Sequence, residues 1–125
     1  MDKLTDILKR IIAFRDERDW SQFHTPKNLS AALAIEASEL QEVLLWKTDT
    51  EIQEFLSEPS NKARLTRELA DVLIYALLLC IRMESDPIEI INRKLEENAK
   101  KYPVELAKGS AAKYDELLTK RSDTV

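Results

Sequence analysis

A single glycine, Gly109, is the feature of this 125-residue sequence that most restricts its fold. Sheets joined by tight hairpins need glycine or asparagine at turns where the backbone adopts positive φ angles. Hydrophobic residues make up 44% of the chain and charged residues 34%, which favours amphipathic helices. The length suits one compact domain with its own core. We therefore predict a single all-α domain over residues 1–125.

Apolar residues recur every three or four positions along four segments, and this pattern predicts a bundle of four main helices. Candidate caps and prolines mark the ends of these segments. The expected helices run from about Asp2 to Arg18, from Leu29 (after an Asn28 cap) to Trp46, from a Ser60 cap to Met83, and from an Asp86 cap to a point before Pro103. A short helical piece is expected before Pro59. The polar tail from Val104 is expected to be loose or to depend on a partner, which leaves a core of about residues 2–103.

Charge and composition exclude several classes of function. A net charge of −4 and a pI near 5.1 argue against a nucleic-acid binder, which normally presents a basic face. The apolar run from Leu69 to Ile81 is too short to span a bilayer and is interrupted by Asp71. The lone Cys80 cannot form an internal disulfide, which suits a reducing compartment. We expect a cytoplasmic protein that binds neither nucleic acid nor membrane.

Two of the predicted helices carry carboxylates where core residues are expected. Glu36 lies on the apolar line that runs from Leu29 to Val43. Residues three apart share a helix face, so Glu36 pairs with Glu39, and Glu68 pairs with Asp71. If these helices pack together, the carboxylates converge and need a positive partner, because unpaired charges are costly in a partly dry cleft. Oxygen ligands without thiolate or imidazole favour Mg²⁺, with Mn²⁺ as a substitute, and a phosphorylated ligand.

Several alternatives bear on this interpretation. Acidic pairs often form solvated helix faces, although the apolar surroundings of Glu36 and Asp71 disfavour that explanation. A di-iron bundle needs Glu-x-x-His spacing, and the only histidine, His24, lies in a predicted loop. The sequence has no Gly-rich phosphate loop, nucleophile elbow or Cys/His zinc cluster. A non-catalytic module, in which the carboxylates bind a structural cation and the apolar third helix forms an oligomer interface, remains the rival of a metal-dependent enzyme.

Four segments, in this order, resemble the MazG-like superfamily of all-α nucleoside triphosphate pyrophosphatases, particularly its dCTP pyrophosphatase-like branch. They are RDWSQFHTPKNL (18–29), EASEL (36–40) followed by LLWK (44–47), ELADVLIY (68–75) and KLEENAKKYPVELAKGSAAKY (94–114). The resemblance implies a Mg²⁺-dependent hydrolase that cleaves dCTP or another dNTP between its α- and β-phosphates, with a related nucleotide as the alternative substrate. It also implies a homo-oligomer, dimer or tetramer, with the active site near subunit contacts.

The resemblance also implies roles for individual residues of this chain. The metal ligands would be Glu36, Glu39, Glu68 and Asp71, and either Glu36 or Glu39 would take a proton from the attacking water. The nucleoside pocket would be lined by Trp20, His24, Trp46 and Tyr75. The triphosphate would be bound by Lys94, Asn98, Lys101 and also Lys113.

The chain departs from the pattern of that superfamily at two positions. Ile35 stands where many members have a second glutamate before the first ligand. Ile11 stands where vertebrate enzymes of the branch have a substrate-contacting histidine. The choice of general base and of nucleobase is therefore left open by the resemblance.

Overall fold

The structure is a computed structural model that describes residues 2–123, and the described part contains helices and no strand. The helices in chain order are α1 (Lys3–Glu17), α2 (Pro26–Leu44), α3 (Asp49–Ser57), α4 (Pro59–Arg82), α5 (Pro87–Lys101), α6 (Val104–Ala107) and α7 (Tyr114–Asp123). A short 3₁₀ turn at Ser21–Phe23 separates α1 from α2. The all-α prediction is confirmed, and α1, α2, α4 and α5 correspond to the four main helices expected from the sequence. None of the described helices is long and apolar enough to cross a membrane.

The chain divides into two compact units, one ending at Ser85 and the other beginning at Asp86. In the first unit α4 is the central helix, and α1, α2 and α3 all pack against it, α2 most extensively. Ile11, Leu29 and Leu78 form the buried core where these helices meet. This packing brings α2 and α4 side by side, as the acidic pairs on them require. The prediction of one domain over residues 1–125 stays a prediction.

The expected start of α2 was wrong in its details. The helix begins at Pro26 rather than Leu29, and its cap is Thr25, whose hydroxyl accepts a hydrogen bond from the Asn28 amide at 3.2 Å. A proline is favoured in the first turn of a helix, because its missing N–H would have no partner there. The Asn28 side chain instead donates to the Phe23 carbonyl at 2.9 Å, and it thereby ties the preceding loop to the helix.

Two further helix ends differ from the prediction. The helix α2 ends at Leu44, and Trp46 lies beyond it with a left-handed φ of 66°. The helix α4 begins at Pro59, after Glu58 in extended backbone, rather than after a Ser60 cap. Chain reversal after Leu44 decides where α2 ends, and Pro59 decides where α4 begins. Hydrophobic periodicity reports neither feature.

The second unit contains α5, α6 and α7. The Asp86 cap is confirmed, since its carboxylate accepts hydrogen bonds from the Ile88 and Glu89 amides at 2.8 and 3.3 Å. The tail, expected to be loose, contains α6 and α7, which contact each other and are linked through Gly109 at a φ of 75°. The rings of Tyr102 and Tyr114 meet edge to face at 6.4 Å between centroids. The structure thus orders more of the tail than its weak periodicity predicted.

Candidate active site

An acidic cluster lies where α2 packs against α4. Glu36 and Glu39 on α2 and Glu68 on α4 each offer a carboxylate oxygen, and these oxygens all lie within 4.8 Å of one another. Glu36 and Glu68 are half-buried, whereas Glu39 is exposed. The three-residue spacing turns both carboxylates of α2 to one side, and the packing of α4 brings in the third. The expected convergence of the two helices' carboxylates is present in this geometry.

The electrostatics of the cluster concentrate on Glu36. Burial raises the pKa of Glu36 to about 7, and Glu39 adds to this, both as a hydrogen-bond partner of the protonated form and as a negative charge. The charges of Asp71 and then Glu68 raise the pKa further. Asp71 lies one turn after Glu68 on α4, so it belongs to the electrostatic surroundings of the cluster although its oxygens lie outside the closest group.

The donor set fits a divalent cation. The cluster offers carboxylate oxygens and neither thiolate nor imidazole, which is the chemistry that hard cations bind. Oε2 of Glu36 is buried without a hydrogen-bond partner within the described part of the chain. A buried carboxylate oxygen without a donor is costly, and a cation among these oxygens would remove that cost.

An apolar cavity of about 580 Å³ lies between α1 and α4 in the same unit. Half of its lining residues are aliphatic, and Trp20, His24 and Tyr75 are among those that contribute polar or aromatic groups. Three of the four residues predicted for the nucleoside pocket therefore meet in one cavity. Asp71 also lines it, so a residue of the acidic surroundings borders the pocket. The fourth predicted residue, Trp46, lies outside this cavity and is 92% exposed.

A short irregular loop holds Trp20 and His24 in place. Asp19 adopts a positive φ of 53°, which reverses the chain after α1 and lets the Trp20 amide donate to the Arg15 carbonyl at 3.1 Å. The Gln22 side chain donates to both the carbonyl and the carboxylate of Asp19 at 3.0 Å. The Trp20 ring meets the Phe14 ring edge to face, with centroids 5.7 Å apart. The loop, which includes the 3₁₀ turn at Ser21–Phe23, therefore fixes an aromatic ring at the cavity outside the α-helices.

The imidazole of His24 is half-buried, and it does not cap α2. Burial lowers the pKa of His24, and the positive charge of Arg15 lowers it further. Its Nδ1 is buried without a hydrogen-bond partner among the described residues. The cap of α2 is the neighbouring Thr25, whereas the backbone N–H of His24 ends the 3₁₀ turn by donating to the Ser21 carbonyl at 3.1 Å.

Sequence reasoning missed two cationic residues of the cavity, Arg10 and Arg15. Arg15 follows Ile7 and Ile11 at intervals of four on the apolar line of α1, and its side chain is only 17% exposed. A charge on an apolar line is the same signal that identified Glu36. Applied to α1, it would have pointed to Arg15 as well.

The remaining predicted residues lie in the second unit. Lys94, Asn98 and Lys101 all lie on α5, and Lys113 directly precedes α7. The Lys94 ammonium lies 3.3 Å from the Glu97 carboxylate, and that of Lys101 lies 5.8 Å from the centre of the Tyr114 ring. Their expected contacts with a triphosphate stay predictions.

Comparison with known proteins places this geometry in a family. The MazG-like family matches residues 31–117 of the chain. The dCTP pyrophosphatase 1 of Mus musculus is 44% identical over 114 residues, which are 91% of this chain and 67% of the mouse protein. That of Homo sapiens is 44% identical over 115 residues, with the same shares of both chains. The crystal structure of a pyrophosphatase from Archaeoglobus fulgidus DSM 4304 is 41% identical, with a TM-score of 0.76 over 82% of this chain and 94% of that one.

Proposed function

This chain belongs to the MazG-like family, and from this premise we propose that it is a nucleoside triphosphate pyrophosphatase. Its substrate would be a deoxynucleoside triphosphate, dCTP above all, cleaved between the α- and β-phosphates to the monophosphate and pyrophosphate. The names of the mouse and human relatives support dCTP, and the archaeal neighbour supports a pyrophosphatase. Such an activity removes ordinary or modified deoxynucleotides from the pool.

The observation that carries this proposal is that Asp71 borders both the acidic cluster and the apolar cavity. The acidic cluster suits a cation and the triphosphate it binds, whereas the apolar cavity suits a nucleoside. Asp71 lines the cavity and also acts electrostatically on Glu36 of the cluster. A volume of about 580 Å³ lies within the usual range for small-molecule sites.

The proposed ligands of the cation are Glu36, Glu39, Glu68 and Asp71, and the proposed cation is Mg²⁺, for which Mn²⁺ can substitute. When bound, it supplies positive charge that offsets the triphosphate charge and lowers the pKa of water. The chain itself would hold the reacting groups in place and accept the proton of the attacking water. Glu36 and Glu39 are the candidates for that proton, because their carboxylates adjoin and Glu39 is open to solvent.

The second unit and the exposed apolar surface would complete the enzyme. We propose that Lys94, Asn98 and Lys101 bind the triphosphate and that Trp46 adds to the nucleoside pocket. The apolar side chains of Leu69, Leu73, Ile88, Ile91 and Leu95 are all more than 40% exposed. Exposed apolar side chains on each of the two units support assembly into a homo-oligomer, dimer or tetramer. The half-buried lone Cys80 supports a reducing cytoplasm.

Product analysis tests the proposed reaction. The purified protein would be incubated with Mg²⁺ and the common dNTPs and NTPs, together with 5-methyl-dCTP, and the products resolved by ³¹P NMR. We expect monophosphate and pyrophosphate from dCTP, and no turnover in EDTA. Release of orthophosphate would contradict cleavage at the α–β bond. Cation binding without turnover of any nucleotide would favour the non-catalytic module.

A matched pair of variants tests the acidic cluster. Glu39→Gln removes one carboxylate at an exposed position, so the fold should survive, and we expect kcat/KM to fall by at least ~10³-fold. Glu54→Gln makes the same chemical change on the exposed face of α3 and should leave kcat/KM unchanged. Equal activity of the two variants would contradict a catalytic role for the cluster.

A further inference from the structure

Two polar groups in the apolar cavity have hydrogen-bonding capacity that the protein leaves unused. Nδ1 of His24 is buried without a partner among the described residues. Nε of Arg15 donates to the Asp16 carboxylate at 2.8 Å, and within residues 2–119 no partner accepts from its two terminal amino groups. Both side chains line the cavity, and that of Arg15 is mostly buried. Because buried polar groups are nearly always satisfied, the buried nitrogen of His24 points to a ligand that satisfies it, and the terminal amino groups of Arg15 are available to the same ligand.

The two groups offer complementary hydrogen bonding. A guanidinium only donates, and Asp16 orients this one by holding its Nε. Burial lowers the pKa of His24 and the positive charge of Arg15 lowers it further, so both favour the neutral imidazole. A neutral imidazole has one nitrogen that accepts a hydrogen bond. The polar wall of the cavity therefore presents a pair of donors beside one acceptor.

We propose that Arg15 and His24 recognise the Watson–Crick edge of the base and thereby select cytosine. The terminal amino groups of Arg15 would donate to N3 and O2 of the base, and Nδ1 of His24 would accept from its N4 amino group. Trp20, which lines the same cavity, would stack on the face of the ring. This assignment rests on the proposed function, because it places the base of a nucleoside triphosphate in this cavity.

This arrangement would discriminate among bases, because a base other than cytosine would leave the guanidinium of Arg15 or the imidazole of His24 unpaired. Uracil and thymine carry N3–H where cytosine has a lone pair, and a carbonyl where cytosine has its amino group. The guanidinium would then face a donor, and the imidazole acceptor would face a carbonyl oxygen. Sites built around buried hydrogen bonds reject such analogues strongly. Adenine offers an amino group and one ring acceptor, but no second acceptor for the guanidinium.

Steady-state kinetics with dCTP and dUTP test the assignment. Arg15→Met keeps the aliphatic stem and removes the donors, and Arg82→Met makes the same change at an exposed position in the last turn of α4. We expect Arg15→Met to lower kcat/KM for dCTP roughly 10- to 100-fold, chiefly through KM, with little change for dUTP. Arg82→Met should keep the wild-type ratio of kcat/KM for dCTP to kcat/KM for dUTP.

The outcomes separate this inference from the proposed function. Base recognition is overturned if the wild-type protein has equal kcat/KM for dCTP and dUTP. It is also overturned if Arg15→Met leaves the ratio of these two kcat/KM values unchanged. In either case, release of pyrophosphate would still support the hydrolase. A wild-type protein that cleaves no nucleotide overturns both. If circular dichroism shows that Arg15→Met does not fold, His24→Phe serves in its place, because it keeps a ring and removes the acceptor. If His24→Phe leaves the ratio of kcat/KM for dCTP to that for dUTP unchanged, the assignment of base recognition to this pair is overturned.

Discussion

The acidic cluster and the apolar cavity both use α4, yet they are built in different ways. The cluster takes its carboxylates from regular helices, where a spacing of three residues turns Glu36 and Glu39 to the same side. The cavity takes Trp20 and His24 from a loop that depends on a positive φ at Asp19 and on side-chain hydrogen bonds. Helical periodicity thus positions the carboxylates of the cluster, whereas irregular backbone positions the ring and the imidazole of the cavity.

The electrostatics of the two regions differ in a way that fits this division. Among the described residues, each region contains one buried polar atom without a partner, Oε2 of Glu36 and Nδ1 of His24. Burial raises the pKa of Glu36 and lowers that of His24, so both groups are pushed towards their neutral forms. Like charges surround Glu36, so a cation would favour its ionised form. His24 faces a fixed cation already, so a neutral hydrogen-bonding edge suits it.

Among variants of residues that line the cavity, Asp71→Asn has the largest expected effect, because Asp71 borders both regions. If its role is to hold the cation, kcat should fall by at least ~100-fold, to the same degree for every nucleotide. The measurement is kcat and KM for dCTP and dUTP at saturating Mg²⁺. Asp49→Asn, which removes an exposed carboxylate from α3, is the control and should behave as wild type. A loss that depends on the base would instead assign Asp71 to the recognition side.

Trp20→Ala should have a smaller effect, confined to the cavity. Losing a stacked aromatic ring should raise KM roughly 10- to 100-fold and leave kcat nearly unchanged. The rise should be similar for dCTP and dUTP, since every base presents a ring face. Phe23→Ala removes a ring from the same loop, 59% exposed and outside the cavity lining, and should leave KM unchanged. Equal effects of the two variants would mean that the loop matters only for stability.

The sequence predicted these two regions unequally, for physical reasons. The acidic residues lie on long helices, so their spacing alone placed them on common faces. The start of α2 was misplaced because Thr25 and Asn28 are both good capping residues, and the choice depended on Pro26. Arg15 lies in the last turn of α1, where a cation also interacts favourably with the helix dipole, so its charge alone does not indicate a site. Its position on the apolar line of α1 marks it as unusual, and the packing of α1 on α4 then shows that it lines a cavity.

The smallest expected effect concerns stability rather than turnover, and it comes from Glu36. Its pKa is about 7 in the folded protein, against an ordinary value of 4.5. Between these two values the folded state binds more protons than the unfolded state, so the free energy of unfolding falls as the pH rises. This contribution is fully present below pH 4.5 and is lost as the pH passes 7. In EDTA, the melting temperature should therefore decrease by several degrees over this range because of Glu36.

Glu36→Gln isolates that contribution, because glutamine resembles the protonated acid and does not ionise. In EDTA, its melting temperature should change less with pH than that of wild type, whereas Glu54→Gln should keep the wild-type slope. Added Mg²⁺ should raise the melting temperature of wild type more at pH 8 than at pH 6, because the cation competes with the proton for Glu36. Glu36→Gln should show little of this rise. If Glu36→Gln kept the wild-type dependence of melting temperature on pH and the full rise with Mg²⁺, the cation would bind elsewhere. The division of the site into an acidic half and an apolar half would then be wrong.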